Sequence, residues 1–163
     1  MSTPSTAILA ALQQKFGQRL QTAVALSRYT SARLGGPAEF LLVAKSVSEL
    51  VEMVSTLWAL EQPFLVMGGG SNVKVADAGV RGVVLVNRAR HVRFSERRGL
   101  PAVWAESGAN FGLLARQAAA RGLSGLEWAA GIPGTLGGAL VGNAGAFGAD
   151  LSTNLLVAEI LHH

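Results

Sequence analysis

The sequence predicts an α+β fold made of two small α/β subdomains with mixed sheets. Short apolar runs of strand length alternate with amphipathic helical patterns along the chain. Residues 91–105 have the alternation and the central turn of a β-hairpin, which favours mixed over all-parallel pairing. Glycines are concentrated in two segments, 68–70 and 131–148, each placed where a strand or a helix is expected to end.

The first predicted element is a helix over residues 5–20. Ile8, Leu12 and Phe16 recur at helical spacing, with polar residues between them. We expect a loop after this helix, before the first buried strand.

A strand–helix–strand unit follows. Residues 38–44, apolar apart from Glu39, and residues 64–67 are short runs typical of buried strands. Between them, Ser46 and Glu49 have the spacing of a capping box, in which the hydroxyl accepts a backbone hydrogen bond and the carboxylate reaches back. The apolar face of the helix that follows is assigned to Val47, Leu50, Val51, Val54 and Trp58.

The second half begins with a strand over 83–86 and continues with the hairpin. The hairpin strands are predicted at 91–95 and 102–105, joined by a turn over 98–101. A second helix is predicted over 110–121, and Gly122 suits the position just past its end. Its inner face consists of Phe111, Leu114, Ala115 and Ala118.

The last apolar run, residues 155–161, is predicted to be a strand that reaches almost to the final two histidines. Because no turn follows it, we expect the chain to be a fragment. His162 and His163 are interpreted as native sequence, with the beginning of a purification tag as the alternative. The expected division is a helical lead-in, a first subdomain with the pyrophosphate loop and an incomplete second subdomain, at residues 1–25, 26–88 and 89–163.

Composition excludes several kinds of site. The chain has 163 residues and no cysteine, which excludes disulfides, thiolate nucleophiles and zinc–thiolate sites. No apolar stretch approaches the roughly 18 residues of a membrane span, and no signal peptide is present, so we expect a soluble, cytoplasmic protein. The net charge is +4, but no tract of aromatic residues is interleaved with the basic cluster between Arg88 and Arg98. We therefore expect a solvated hairpin face and no nucleic-acid partner.

The first glycine segment, Gly68-Gly69-Gly70-Ser71-Asn72, directly follows an apolar run. Successive glycine amides can turn inward around an anion because no Cβ opposes positive φ angles. The segment therefore predicts a phosphate- or pyrophosphate-binding loop, with a tight turn between strands as the alternative. A Rossmann fingerprint is excluded because its third glycine position is Val73, and a Walker A loop is excluded because Lys74 is misplaced.

The second segment has seven glycines within residues 131–148 and is apolar, which argues against a flexible linker. Pro133 favours a short helix over 134–141, whose first free amides, near Thr135, would face a phosphate. Glycines at 137 and 138 would let a flat group lie close to the backbone, with tight helix–sheet packing as the alternative. Together, the two segments suit a long, flat ligand with a central pyrophosphate, such as a dinucleotide.

Six motifs, in order, resemble successive motifs of the UDP-N-acetylenolpyruvoylglucosamine reductase family over residues 26–160. They are YTSARLGGPA at 29–38, GGGSN at 68–72, DAGVRG at 77–82, GLSGLE at 122–127, AGIPGTLGG at 130–138 and NAGAFG at 143–148. The resemblance implies a fold of the vanillyl-alcohol-oxidase or PCMH type, in which FAD lies between two α+β subdomains.

The resemblance also implies a set of FAD-binding residues. The pyrophosphate would be held by Gly68, Gly69, Gly70, Ser71 and Asn72. The flavin would be lined by Gly131, Ile132, Gly134, Thr135 and Gly137, with Asn143, Ala144 and Gly145 close by. Thr30 and Arg33 belong to the first matching motif.

The implied activity is the NADPH-dependent reduction of UDP-N-acetylglucosamine enolpyruvate to UDP-N-acetylmuramate in peptidoglycan precursor synthesis. In the family, the arginine motif, the proton-donating serine and a late glutamate lie beyond the end of this chain. We therefore assign no catalytic residue and no metal ligand here, and we expect the chain alone to be inactive. Glu106 and Glu127 are interpreted as caps or surface partners.

Two alternatives stay open. One is a non-catalytic protein that binds a nucleotide or a partner, and the other is a different flavoprotein oxidoreductase of the same superfamily. The oligomeric state is not predicted.

Overall fold

A four-stranded mixed sheet forms the first layer of the protein, of which a computed structural model describes residues 6–163. Its strands are β1 (Gln21–Ala25), β2 (Pro37–Ala44), β3 (Phe64–Met67) and β4 (Val80–Asn87). Their spatial order is β1-β2-β4-β3, with β1 antiparallel to β2, and with both β2 and β3 parallel to β4. The sequence predicted a loop in place of β1, and this was wrong because Gln21, Thr22 and Ala23 are exposed and carry no apolar alternation.

Two helices pack against this sheet, α1 (Thr6–Phe16) and α2 (Val47–Ala59). The N-terminal helix is shorter than predicted, because a 3₁₀ turn begins at Gly17, where φ is +53°. Residue 5 lies outside the described residues. The main core of this layer contains Leu12, Phe16, Phe40, Leu42, Met53, Leu57 and Leu85.

The start of α2 follows the predicted cap with one difference. The Ser46 hydroxyl accepts a 3.2 Å hydrogen bond from the Glu49 N–H, as expected. The Glu49 carboxylate accepts instead from the N–H of Lys45, at 2.7 Å. The predicted face of the helix is confirmed in part, because Val54 is buried and both Leu50 and Trp58 pack against the core. The centre of the buried face is shifted, since Met53 and Leu57 are fully buried and Val47 and Val51 are 38% exposed.

The hairpin forms a separate two-stranded sheet of β5 (Val92–Arg97) and β6 (Leu100–Ala105). Its turn consists only of Arg98 and Gly99, at φ +54° and +76°, so the predicted four-residue turn was too long. Two consecutive positive φ angles are typical of a type I′ turn, which matches the twist of the strands. The prediction of mixed pairing is confirmed, although β1 makes the four-stranded sheet mixed and the hairpin forms a sheet of its own.

The second layer is completed by α3 (Phe111–Ala119), α4 (Leu136–Val141), β7 (Gly145–Ala146) and β8 (Ala149–Asp150). The side chain of Asn110 caps α3, accepting from the Leu113 N–H at 2.7 Å. Past the end of α3, the N–H of Leu123 donates to the Ala118 carbonyl, with Gly122 at φ +71°. This geometry confirms Gly122 as the residue that ends the helix. The predicted inner face of α3 is buried as expected.

Two predictions in the last third were wrong. Helix α4 begins at Leu136 because Thr135 is extended, at φ −109° and ψ 156°, and caps it, so Pro133 lies outside the helix. The run 155–161 forms no strand, and no strand among the described residues pairs with it. Its apolar side chains are largely exposed, with Ile160 at 78%.

Side chains at the start of the second layer join it to the first. The Glu106 carboxylate accepts from the N–H of Val47, at 3.2 Å, and from the N–H of His91, at 2.7 Å. Glu106 is therefore a cap and a surface partner, as predicted, and it connects α2 to the hairpin. Buried Asn87, at the end of β4, donates to the Ser107 hydroxyl at 2.8 Å. The division of the chain at residues 25 and 88 stays a prediction.

Candidate cofactor-binding site

The first glycine loop lies at the carboxyl end of β3, next to the end of its parallel neighbour β4. Ligands of parallel sheets commonly bind in the crevice beyond the carboxyl ends of the strands. The loop begins directly after Met67, the last residue of β3, and Gly70 is its buried residue.

The two glycine segments are in contact. A Cβ on Gly68 would overlap the Thr135 hydroxyl, and a Cβ on Gly69 would lie 3.2 Å from the Gly134 Cα. A side chain of the first segment also contacts the second, since the Ser71 hydroxyl donates to the Pro133 carbonyl at 3.3 Å. The absence of side chains at these glycines therefore lets two backbones approach each other. This proximity supports the interpretation of the segments as parts of one site.

The other side of the loop is held by the turn after Tyr29. The Ser31 N–H donates to the Gly70 carbonyl at 2.9 Å. A Cβ on Gly70 would overlap the Tyr29 carbonyl, and the φ of Gly70 is +68°. The hydroxyl of buried Thr30 donates to the Leu34 carbonyl at 2.8 Å, which closes this turn. Thr30 thus supports the loop.

Consecutive backbone donors in this loop are left unpaired. Within residues 6–163, no acceptor is found for the N–H groups of Gly69, Gly70, Ser71 and Asn72. The N–H groups of Gly134 and Thr135, across the contact, are also without an acceptor there. Only Gly70 and Thr135 of these six residues are buried, so the group lies at the surface of the fold. Such a set of free amides has the chemistry of an anion site.

The start of α4 does not have that chemistry. Leu136 donates to the Ala109 carbonyl at 2.8 Å, and Gly137 donates to the Ser107 carbonyl at 2.7 Å. The Gly138 N–H donates to the Thr135 hydroxyl at 3.4 Å. The amides of residues 136–138 therefore already have acceptors, whereas those of Gly134 and Thr135, where the helix was predicted to begin, have none within residues 6–163. That this segment faces a phosphate stays a prediction.

The two flavin-side glycines differ in what surrounds them. A Cβ on Gly137 would lie 2.9 Å from the Ser107 Cβ, so close packing explains this glycine. A Cβ on Gly131 would meet nothing within 4 Å. Packing therefore gives no reason for glycine at 131, whereas it does at 137. Ile132, next to Gly131, packs against the core of the second layer.

The segment 143–145 belongs to the small β7–β8 hairpin. The Asn143 side chain accepts from the Ser152 N–H at 3.1 Å and donates to Asp150 at 3.2 Å. The Ala144 N–H donates to the Ala139 carbonyl, and Gly145 pairs with Asp150. Among the described residues, no hydrogen bond joins this segment to the glycine loop. Hydrogen bonding by the Ser152 hydroxyl, aided by Asn143, lowers the pKa of Asp150.

One residue of the site was missed by sequence reasoning. The Arg88 guanidinium donates from Nη1 to the Gly68 carbonyl at 3.1 Å. Burial, and then the nearby Arg90 charge, lowers the pKa of Arg88, although an arginine stays protonated at neutral pH. The sequence signal that could have identified Arg88 is its position directly after β4, the strand that pairs in parallel with β3, which precedes the loop.

The basic hairpin also differs from its sequence-based description. Trp104 lies opposite Arg93 in the register of β5 and β6, and its ring centroid is 6.0 Å from that of His91. An aromatic side chain therefore does lie among the basic residues, although it is remote from them in sequence. The absence of a nucleic-acid partner stays a prediction.

Within residues 6–163, no group of three or more His, Cys, Asp or Glu side chains is placed to hold a metal ion. No helix in the same part of the chain has the length and apolarity required to cross a membrane.

Comparison with known proteins identifies the family. A family profile described as an FAD binding domain matches residues 38–161. The chain belongs to this family. It is also 46% identical, over 136 residues, to the UDP-N-acetylenolpyruvoylglucosamine reductase of Rubrobacter xylanophilus, covering 83% of this chain and 45% of the relative. The chain thus spans about half the length of the curated relatives it matches.

Solved structures agree with this assignment. The UDP-N-acetylenolpyruvylglucosamine reductase from Thermus caldophilus has 35% identity and a TM-score of 0.63, over 81% of this chain and 45% of that one. An alkyldihydroxyacetonephosphate synthase has a TM-score of 0.61 at 17% identity, over 93% of this chain and 32% of that one. The second similarity concerns the fold alone. The predicted α+β fold of the PCMH type is therefore confirmed, and FAD is the cofactor of the family.

Proposed function

We propose that this chain is the FAD-binding part of a UDP-N-acetylenolpyruvoylglucosamine reductase. The observation that carries the proposal is the run of unpaired N–H groups from Gly69 to Asn72, at the end of β3. A pyrophosphate is rich in acceptor oxygens and has no donor, so it complements such a loop. The family assignment and the named relatives make FAD the matching ligand.

The residues have different roles in this proposal. The loop 68–72 holds the pyrophosphate, and the free amides of Gly134 and Thr135 approach it from the second segment. Gly131 and Ile132 lie alongside the flavin, where the bare backbone at Gly131 gives access to a flat ring. Gly137 supports this segment by packing on Ser107. The segment 143–145 is assigned a more distant place, because its polar groups are occupied within its own hairpin.

The whole protein's activity is part of the same proposal. Bound FAD would supply hydride transfer from NADPH to the enolpyruvyl group of the UDP-sugar, in a cytoplasmic step of peptidoglycan precursor synthesis. The residues of this site bind and orient through main-chain groups, and none is a proton donor placed for that reaction. We therefore propose that the chain alone binds FAD and does not catalyse the reduction.

A visible spectrum of the purified chain tests the binding proposal. We expect flavin absorption at about one FAD per chain, or reconstitution to that level with added FAD. Gly70→Ala should abolish retention, because its Cβ would overlap the Tyr29 carbonyl. Gly99→Ala is the matched control, since φ at Gly99 is also positive, at +76°, but no atom lies within 4 Å of the added Cβ. A folded wild-type chain that stays colourless after incubation with FAD contradicts the proposal.

A second assay tests the absence of catalysis. The FAD-loaded chain is mixed with NADPH and UDP-N-acetylglucosamine enolpyruvate, and NADPH oxidation is followed by absorbance. We expect no oxidation dependent on the UDP-sugar. Sustained turnover would show that the chain contains the catalytic groups after all.

A further inference from the structure

Arg88 contacts the glycine loop at Gly68, two residues before the contact of the 29–31 turn with Gly70. It directly follows β4, and its own N–H donates to the Ala44 carbonyl at 2.7 Å, which anchors its backbone to β2. Its side chain is half-buried and reaches the Gly68 carbonyl at 3.1 Å. Both residues of this contact directly follow paired strands, Gly68 after β3 and Arg88 after β4.

The contact determines where the next amide points. In a trans peptide the C=O and the following N–H lie in one plane and point in opposite directions. No peptide bond within residues 6–163 is cis, so the guanidinium that holds the Gly68 carbonyl turns the Gly69 N–H away from itself. The Ser31 N–H acts in the same way on the Gly70 carbonyl, and thereby orients the Ser71 N–H. Both Gly69 and Ser71 belong to the unpaired donors of the loop.

We propose that Arg88 is a positioning residue for the cofactor pyrophosphate, holding the Gly68 carbonyl so that the Gly69 N–H is available to the anion. The proposal rests on the proposed function, because it takes the glycine loop as the pyrophosphate site. It adds that the preference for a phosphorylated flavin depends on a side chain that follows a different strand. The Arg88 charge contributes in the same direction, since an unneutralised guanidinium next to the loop favours an anion there.

The test compares two flavins, of which only one carries the pyrophosphate and the adenosine attached to it. Dissociation constants for FAD and for riboflavin, which has no phosphate, are measured by quenching of flavin fluorescence for wild type, Arg88→Met and Arg88→Lys. Arg90→Met is the matched control, because it removes the same charge two residues away and Arg90 makes no hydrogen bond to the loop among the described residues. The thermal midpoint of each apo variant is recorded in parallel.

We expect Arg88→Met to raise the dissociation constant for FAD about 10-fold or more, the effect typical of losing a charged hydrogen-bond partner, while riboflavin binding is unchanged. Arg88→Lys should lie between wild type and Arg88→Met, and Arg90→Met should change neither constant more than about 2-fold. Equal losses for FAD and riboflavin would indicate a merely structural role and overturn the proposal, as would an Arg88→Met that binds FAD like Arg90→Met. If Arg88→Met does not fold, Arg88→Lys decides by the same two constants. A wild-type chain that binds neither flavin contradicts the proposed function itself, whereas the other outcomes leave that function in place.

Discussion

The contact between Gly68 and Thr135 predicts a non-additive pair of substitutions. In Gly68→Ala, the new Cβ would overlap the Thr135 Oγ1 and lie 3.3 Å from its Cγ2. The φ of Gly68 is not in the positive region, so alanine brings steric crowding without backbone strain. Removing the obstructing atoms with Thr135→Ala should therefore relieve most of the damage.

The expected magnitudes follow from the contacts. Crowding of this kind costs about 1–3 kcal/mol in the free energy of unfolding. Thr135→Ala alone removes the cap of α4, and the 3.4 Å hydrogen bond of that cap is long, so the cost is about 0.5–1 kcal/mol. The double variant should lose only about as much as Thr135→Ala. The coupling energy is then about 1–3 kcal/mol, within the range measured for residues in contact.

Urea unfolding followed by circular dichroism gives the four free energies of the cycle. In a thermal scan, Gly68→Ala should lower the midpoint by about 2–4 °C per kcal/mol for a chain of this size. Thr135→Ser is the matched control, because it keeps the hydroxyl that obstructs the Cβ and should rescue little. Additivity within about 0.5 kcal/mol, or equal rescue by serine and alanine, would refute the reasoning and with it the contact between the two glycine segments.

Three further predictions concern hydrogen bonds and turns outside the glycine loop. Glu106→Gln should destabilise the chain by about 1 kcal/mol in urea unfolding, because the amide has one acceptor oxygen in place of the two that now accept from the N–H groups of Val47 and His91. Exposed Glu96→Gln, the control, should have no effect. Arg98→Asn should raise the thermal midpoint, because asparagine adopts the observed φ of +54° more readily than arginine, whereas Arg97→Asn, inside β5, should not. Because the pKa of Asp150 is lowered, its carboxylate form stabilises the β7–β8 hairpin at pH values above the ordinary pKa of aspartate. This stabilisation should be lost as the pH falls below about 4. Amide NMR shifts of the hairpin should report this loss, and Asp150→Asn should show no such acid transition.

The elements that could be predicted from sequence are those in which the residue types directly reflect burial or a local hydrogen bond. Residues 40–44 of β2 and 83–86 of β4 are apolar without interruption because both faces of these strands are largely buried. Ser46 and Asn110 mark helix starts because their side chains accept local backbone hydrogen bonds. The polar strand β1 gives no such signal, since only its backbone pairing with β2 makes it a strand. The run 155–161 has the composition of a strand but does not form one, because composition alone does not supply a partner strand.

The residues of the candidate site also differ in whether they could be predicted from the sequence. Glycine clustering identified the loop 68–72, because a backbone nest requires those residues locally. It did not distinguish the free amides of this loop from the occupied amides of α4, whose acceptors come from Ser107 and Ala109 on another segment. Arg88 was missed for the same reason, since its contact with Gly68 depends on the parallel pairing of β3 and β4.

A site made of main-chain amides has a consequence for its response to pH. The loop Gly68-Gly69-Gly70-Ser71-Asn72 contains no titratable side chain, and amide N–H groups keep their protons throughout the physiological range. The adjoining arginine also keeps its charge there. Affinity for a pyrophosphate should therefore stay constant from mildly acidic to mildly alkaline conditions. We therefore expect the chain to keep its cofactor when the cellular pH shifts, because the loop contains no histidine or carboxylate.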